Sequence, residues 1–141
     1  ERLIVPGFVD LHVHGGGGAD VMEGADAVRT MARFHARHGT TSLLATTVTH
    51  ERPALADAFA GIRDAMAAPT PDAAAVLGVH LEGPFINPEA LGAQPPFAIP
   101  PDLDLLTALH LIVGIRVVTM APEIDPEGAL LAWCTAHGIK C

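Results

Sequence analysis

Two short segments carry the residues whose types and spacing suit chemistry: Asp10-Leu11-His12-Val13-His14 and His80-Leu81-Glu82. In an extended strand alternate residues share a face, roughly 6–7 Å apart. Asp10, His12 and His14 therefore point one way, and Val9, Leu11 and Val13 are expected to pack on the other side. By the same alternation His80 and Glu82 share a face. Two imidazoles on one face can ligate a metal ion, and a carboxylate at a strand tip is a hard ligand for a divalent cation. His12, His14 and Glu82 are thus the candidate metal ligands. The plainer alternative is a pair of solvent-facing histidines and a surface glutamate ahead of a turn. Gly83-Pro84 fixes the chain just after Glu82, which favours a positioned carboxylate. His80 lies deeper and reads as a hydrogen-bonded interior histidine.

Other polar residues draw a structural reading. Thr46, Thr47, Thr49 and His50 follow an apolar run and either line the mouth of a site or cap the next helix. Glu123, in Thr119-Met120-Ala121-Pro122-Glu123, is placed to hold a neighbouring loop. His35, His38, His110 and His137 fall on or near helices and read as structural or solvated. The sequence has no Gly-x-Ser-x-Gly elbow, and neither Cys134 nor Cys141 stands near a general base, so serine- or cysteine-based acyl transfer is unsupported.

The elements that must position these residues alternate along the chain. Leu3 to His14 reads as a strand, followed by a four-glycine loop, Gly15 to Gly18. Ala25 to His38 reads as a helix whose Val28, Met31, Ala32 and His35 repeat at helical spacing. Thr41 to Thr47 is a second strand, Arg52 to Ala67 a second helix with Leu55, Phe59, Ile62 and Met66 as its buried stripe, and Ala75 to Leu81 a third strand. A proline-rich loop from Glu82 to Pro101 leads to a third helix, Asp102 to Ile112, and a fourth strand, Ile115 to Met120. Asp125-Pro126 has the form of an N-cap with proline in the first turn, so a fourth helix is expected from there to His137. Ile139-Lys140-Cys141 opens a fifth strand. Apolar strands alternating with amphipathic helices imply an α/β fold with a parallel sheet. Four such units make either an open doubly wound sheet or half of an eight-fold barrel, and periodicity does not separate the two.

Bulk properties narrow the class. The chain has 141 residues, 50% hydrophobic and 17% charged, which suits one packed domain and excludes disorder. A net charge of -8 argues against a general nucleic-acid or anionic-membrane surface. No apolar run approaches the roughly 20 residues of a membrane helix. The start shows no signal-peptide pattern and no initiator Met, so the chain is expected to begin inside a longer protein. Two cysteines without a CxxC pair suggest a reduced, cytoplasmic setting.

The motifs also resemble a known family. Pro6-Gly7-Phe8-Val9-Asp10-Leu11-His12-Val13-His14-Gly15 resembles the first barrel strand of the amidohydrolase superfamily. His38-Gly39-Thr40-Thr41-Ser42, His80-Leu81-Glu82-Gly83-Pro84-Phe85-Ile86-Asn87-Pro88 and Thr119-Met120-Ala121-Pro122-Glu123 are similar to segments of the N-acetylglucosamine-6-phosphate deacetylases, in the same order. The resemblance implies a TIM-type (β/α)8 barrel, of which residues 1–141 would be the first half, about four βα units, without the flanking β-sandwich. It implies hydrolysis of an acetamide on an amino-sugar phosphate. It makes Glu82 the carboxylate metal ligand and His12 and His14 a pair that holds a second ion in some members. Ala93 and Gln94 fall on the substrate-contacting Gly-x-His segment, with Gln94 where many members have histidine. The implied cofactor is one or two divalent ions, zinc first, then iron, manganese or cobalt. The implied partners are a small amino-sugar phosphate and a second copy in a homodimer, with no nucleic acid and no membrane. Two further histidine ligands and the catalytic aspartate of the family come from its fifth, sixth and eighth strands, so the 141 residues alone are expected to be inactive. Two rivals stand beside this reading: a cyclic-amide hydrolase of the dihydroorotase or hydantoinase type, and a non-catalytic barrel fragment.

Overall fold

A computed structural model of the chain describes residues 3–141. The expectation about the first residues, Glu1 and Arg2, lies outside them. Six strands and four helices follow in the order β1 (Phe8–Val13), β2 (Gly15–Gly16), β3 (Ala19–Asp20), α1 (Ala25–Ala36), β4 (Thr40–Thr47), α2 (Arg52–Ala67), β5 (Ala75–Glu82), α3 (Leu103–Ile112), β6 (Ile115–Thr119) and α4 (Ala129–Ala136).

The long strands form one parallel sheet in the order β1-β4-β5-β6. Each new strand adds beside the last, with no reversal. The helices touch in succession, α1 with α2, α2 with α3 and α3 with α4, and make one layer. An open doubly wound sheet reverses its strand order and carries helices on both faces. Chain-ordered strands under a single helix layer are the barrel arrangement. A parallel bridge from Lys140 to Val117 starts the next strand beside β6, as expected for Ile139 to Cys141.

The core lies between sheet and helices. Leu43, Val79, Leu81, Ile115 and Val118 from the strands meet Val28, Met31, Leu55, Phe59, Ile62, Leu106, Leu109 and Leu130 from the helices. The opposite sheet face is left to His12, His14, His80 and Glu82.

Several sequence expectations are corrected. The first strand begins at Phe8, not Leu3; Leu3, Ile4 and Val5 are exposed and unpaired. Pro6 lacks the N–H a ladder needs, and the first strand contact is the Phe8 amide to the Gly39 carbonyl at 2.9 Å. Only Val13 of the expected outer face is buried; Val9 and Leu11 are 59% and 56% exposed, because no helix covers that edge of β1. The four glycines are not a plain loop. Gly15 and Gly16 pair with Asp20 and Ala19 in a small hairpin, turned by Gly17 and Gly18 at φ 65° and 84°. The fourth helix starts three residues later than the Asp125-Pro126 signal suggests. Its first residue is Ala129, after Gly128 in the left-handed region. Asp125 still acts on the helix start: its carboxylate accepts from the Ala129 and Leu130 amides at 3.0 and 2.9 Å. Asp102 caps α3 from outside, accepting from the Leu105 amide at 2.9 Å.

Candidate metal centre

His14 follows β1, His12 lies within it, and Glu82 is the last residue of β5. All three therefore sit toward the carboxyl ends of parallel strands, where sites form in such folds. The structure brings them together. His14 Nε2 lies 2.9 Å from Glu82 Oε2, His12 Nε2 lies 3.3 Å from the same oxygen, and the two Nε2 atoms are 3.0 Å apart. Asp10 stays outside the group; its Oδ1 accepts from the His12 amide at 3.1 Å.

The hydrogen bonds around the cluster decide where lone pairs point. His14 Nδ1 lies 3.1 Å from the Thr46 carbonyl, which only accepts, so in the neutral ring Nδ1 carries the proton and Nε2 offers its lone pair inward. Glu82 Oε2 is buried and has no hydrogen-bond partner among the described residues. An imidazole lone pair and an unpartnered carboxylate oxygen 2.9 Å apart repel unless a cation lies between them. Tetrahedral zinc with bonds near 2 Å sets its ligand atoms roughly 3.3 Å apart. The observed separations of 2.9 to 3.3 Å fit that geometry, and the donor set of two imidazoles and a carboxylate is a zinc-type set. A histidine whose second nitrogen donates to a backbone carbonyl is also the usual support for a ligand.

His80 behaves as the sequence suggests. It is buried, its Nδ1 donates to the Leu11 carbonyl at 2.9 Å, and its Nε2 accepts from the Thr119 hydroxyl at 2.8 Å. Both nitrogens are engaged, so it has no lone pair to give. Burial holds the imidazole below its ordinary value of 6.5, and His12 and His14 push the same way; the Leu11 carbonyl and Glu82 pull against them.

The loop after β5 frames the site. Asn87 donates to Glu123 Oε1 at 3.0 Å, so Glu123 does hold a neighbouring loop. That bond and the turn's own amide hold the Glu123 carboxyl below its ordinary value. At the other end of the loop Gln94 Oε1 accepts from the Thr49 amide at 2.7 Å. Gln94, Asn87 and Glu123 share with Glu82 the lining of a cavity of about 230 Å³. Ala93 is exposed and does not line it.

The threonines at the end of β4 and just after it, Thr46, Thr47 and Thr49, neither cap α2 nor line this cavity. The N-cap of α2 is Glu51, without a side-chain bond. Thr46 is instead a support that sequence reasoning missed: its hydroxyl accepts from the Val13 amide at 2.9 Å while its carbonyl holds His14. Its position at the end of an apolar strand was the available signal. His50 stacks on Phe97 with ring centroids 4.6 Å apart.

A family model described as amidohydrolase family matches residues 3–135, and the chain belongs to that family. Such enzymes are generally metal-dependent, in keeping with the His12, His14 and Glu82 cluster. The chain is 39% identical over 137 residues to the N-acetylglucosamine-6-phosphate deacetylase of Bacillus subtilis, covering 93% of this chain and 35% of that protein. It is 41% identical over 136 residues to the N-acetylgalactosamine-6-phosphate deacetylase of Escherichia coli O157:H7, again covering 93% and 35%. A solved structure of a mutant N-acetyl-D-glucosamine-6-phosphate deacetylase from Mycobacterium smegmatis, in complex with N-acetyl-D-glucosamine-6-phosphate, matches with a TM-score of 0.85 at 33% identity. That match covers 96% of this chain and 35% of that one. The chain thus spans about a third of the length of these relatives. No helix among the described residues is long and apolar enough to cross a membrane.

Proposed function

We propose that residues 1–141 form the metal-binding first part of a barrel whose complete protein hydrolyses the acetamide of N-acetylglucosamine 6-phosphate to glucosamine 6-phosphate and acetate. The observation that carries this reading is the convergence of His12 Nε2, His14 Nε2 and the unpartnered Glu82 Oε2 at the carboxyl ends of parallel strands. The relatives named as deacetylases of phosphorylated N-acetyl amino sugars supply the reaction class. On the family resemblance the complete protein is a cytoplasmic homodimer.

His12, His14 and Glu82 would hold a divalent ion, zinc by donor type, with iron, manganese or cobalt as alternatives. A bound ion supplies Lewis acidity toward the amide carbonyl and lowers the pKa of water toward neutrality. The chain's own residues prepare that site. The Thr46 carbonyl selects the tautomer of the neutral His14 ring in which the Nε2 lone pair faces Glu82. The Thr49 amide occupies the Gln94 oxygen, which leaves the Gln94 NH2 group to donate to a sugar or phosphate oxygen. Ala93 would offer backbone contact beside it. Glu123, through Asn87, steadies the same loop. In the net reaction the acetamide C–N bond breaks, water adds hydroxyl to the acetyl carbon, and the nitrogen gains a proton. The carboxylate that moves this proton comes, by the family resemblance, from a strand outside these residues.

The identity of 41% to the N-acetylgalactosamine-6-phosphate enzyme favours a second reading, the C4 epimer as substrate. Both are tested by loading the complete protein with zinc and measuring acetate release from the two epimers and from dihydroorotate or a hydantoin. Release from N-acetylglucosamine 6-phosphate is expected. A preference for the galactosamine epimer moves the assignment to it, and turnover of the cyclic amides alone overturns both.

A further inference from the structure

Away from the metal centre, α3 and α4 meet through three rings. Trp133 stacks on His137 with centroids 3.8 Å apart and planes 20° from parallel. His110 meets both edge-on, 5.7 Å from Trp133 and 5.8 Å from His137.

The two histidines are wired differently. His137 Nδ1 lies 2.8 Å from the Trp133 carbonyl, which only accepts. A proton on that nitrogen suits both the neutral and the charged ring. His110 Nδ1 lies 3.2 Å from the Ile115 amide, which only donates. That nitrogen must be bare, so the bond exists only while His110 is neutral. Ile115 is the first residue of β6, and the far end of that strand, Thr119, holds His80.

The surroundings oppose a charge on His110. Burial is the largest influence, followed by His137 from the end of α4 and Arg116 from β6, and no carboxylate is among the groups acting on it. All three hold its value below 6.5.

We propose that His110, packed against Trp133 and His137, is an acid-sensitive latch between α3 and β6: protonation of His110 releases the Ile115 amide and loosens the head of β6. The stabilising bond is fully present above the unfolded value of 6.5. It is lost as pH falls through 6.5 to the lower folded-state value.

Trp133 is the single tryptophan, so indole fluorescence comes from this cluster alone. The test titrates the chain from about pH 8 to about pH 5, following Trp133 fluorescence, Ile115 amide exchange and the ring nitrogens of His110 by NMR. The expected result is a bare Nδ1 on His110 at neutral pH. Below it, a fluorescence step should appear with a midpoint under 6.5, with Ile115 protection falling several-fold in the same window. His110→Gln keeps an acceptor for the Ile115 amide without a titrating ring and should abolish the change in Ile115 protection. A protonated Nδ1 at neutral pH, a midpoint at or above 6.5, or unchanged Ile115 protection across the window would each overturn the proposal. The ring measurement on the wild-type chain decides even where the variant fails to fold.

Discussion

His14 Nε2 and Glu82 Oε2 lie 2.9 Å apart although β4 separates their strands in the sheet. The contact crosses over the end of β4, where the Thr46 carbonyl orients the His14 ring from below. The two side chains are thus held face to face by a strand that contributes neither of them.

Metal binding should depend on that pair. Isothermal titration of the chain with zinc is expected to show one weak site, because the cluster among the described residues offers three candidate ligands. Glu82→Gln and His14→Ala should each lower the affinity by more than the roughly 10- to 100-fold typical of supporting residues. An unchanged isotherm in both variants would remove these residues from the site.

Thr46 separates support from ligation. Thr46→Val strips the Val13 amide of its buried acceptor and should cost roughly 1–3 kcal/mol, read as a lower urea midpoint. Thr46→Ser keeps the hydroxyl and should stay close to wild type. Equal losses in the two variants would point to the methyl group rather than the hydrogen bond.

Gly83 tolerates no side chain. It sits at φ 70°, and a Cβ there would fall 2.0 Å from Thr49 Oγ1 and 3.1 Å from Thr49 Cβ. Gly83→Ala should destabilise by roughly 1–3 kcal/mol from backbone strain alone, with the collision adding to it. Combining it with Thr49→Ala should recover part of the loss, since the hydroxyl goes and the backbone strain stays. Full recovery would show that the collision is the whole effect.

The two cysteines should differ in reactivity. Burial pushes the Cys134 thiol up to about 12, with its hydrogen bond to Cys141 adding to the shift. Cys141 is exposed. Iodoacetamide at mildly alkaline pH should place a single label on the native chain, at Cys141, and a second only in denaturant, as counted by mass spectrometry. The raised value also sets a pH dependence. Stability from the buried thiol is complete below the unfolded value of 9.0 and falls as pH rises through about 12. Labelling of native Cys134 at the rate of Cys141 would contradict this.

Much of the site is legible in local spacing, because its parts obey strand alternation. His12 and His14 are two residues apart, and Glu82 ends an apolar run, so face and strand tip can be read directly. Thr46 is not legible in the same way: its partners, Val13 and His14, lie more than thirty residues away, and only strand register brings them together. The start of α4 is misplaced for a related reason. Asp125 does bond helix amides, but it reaches them from four and five residues away, and a local rule assumes an adjacent cap. The choice between barrel and open sheet rests on strand order, which is a property of the assembled chain. The exposure of Val9 and Leu11 is likewise a fact about which helices are present.

The placement of β4 between the ligand-bearing strands also orders events in time. Glu82 follows His14 by 68 positions (82 minus 14). Until β1 and β5 have both docked on β4, the Glu82 carboxylate is out of reach of the histidines. The entropy of closing that long loop is met by strand pairing rather than by an ion. On the proposed function, metal capture would follow the assembly of three strands in register, a seal on a completed topology rather than a nucleus for it.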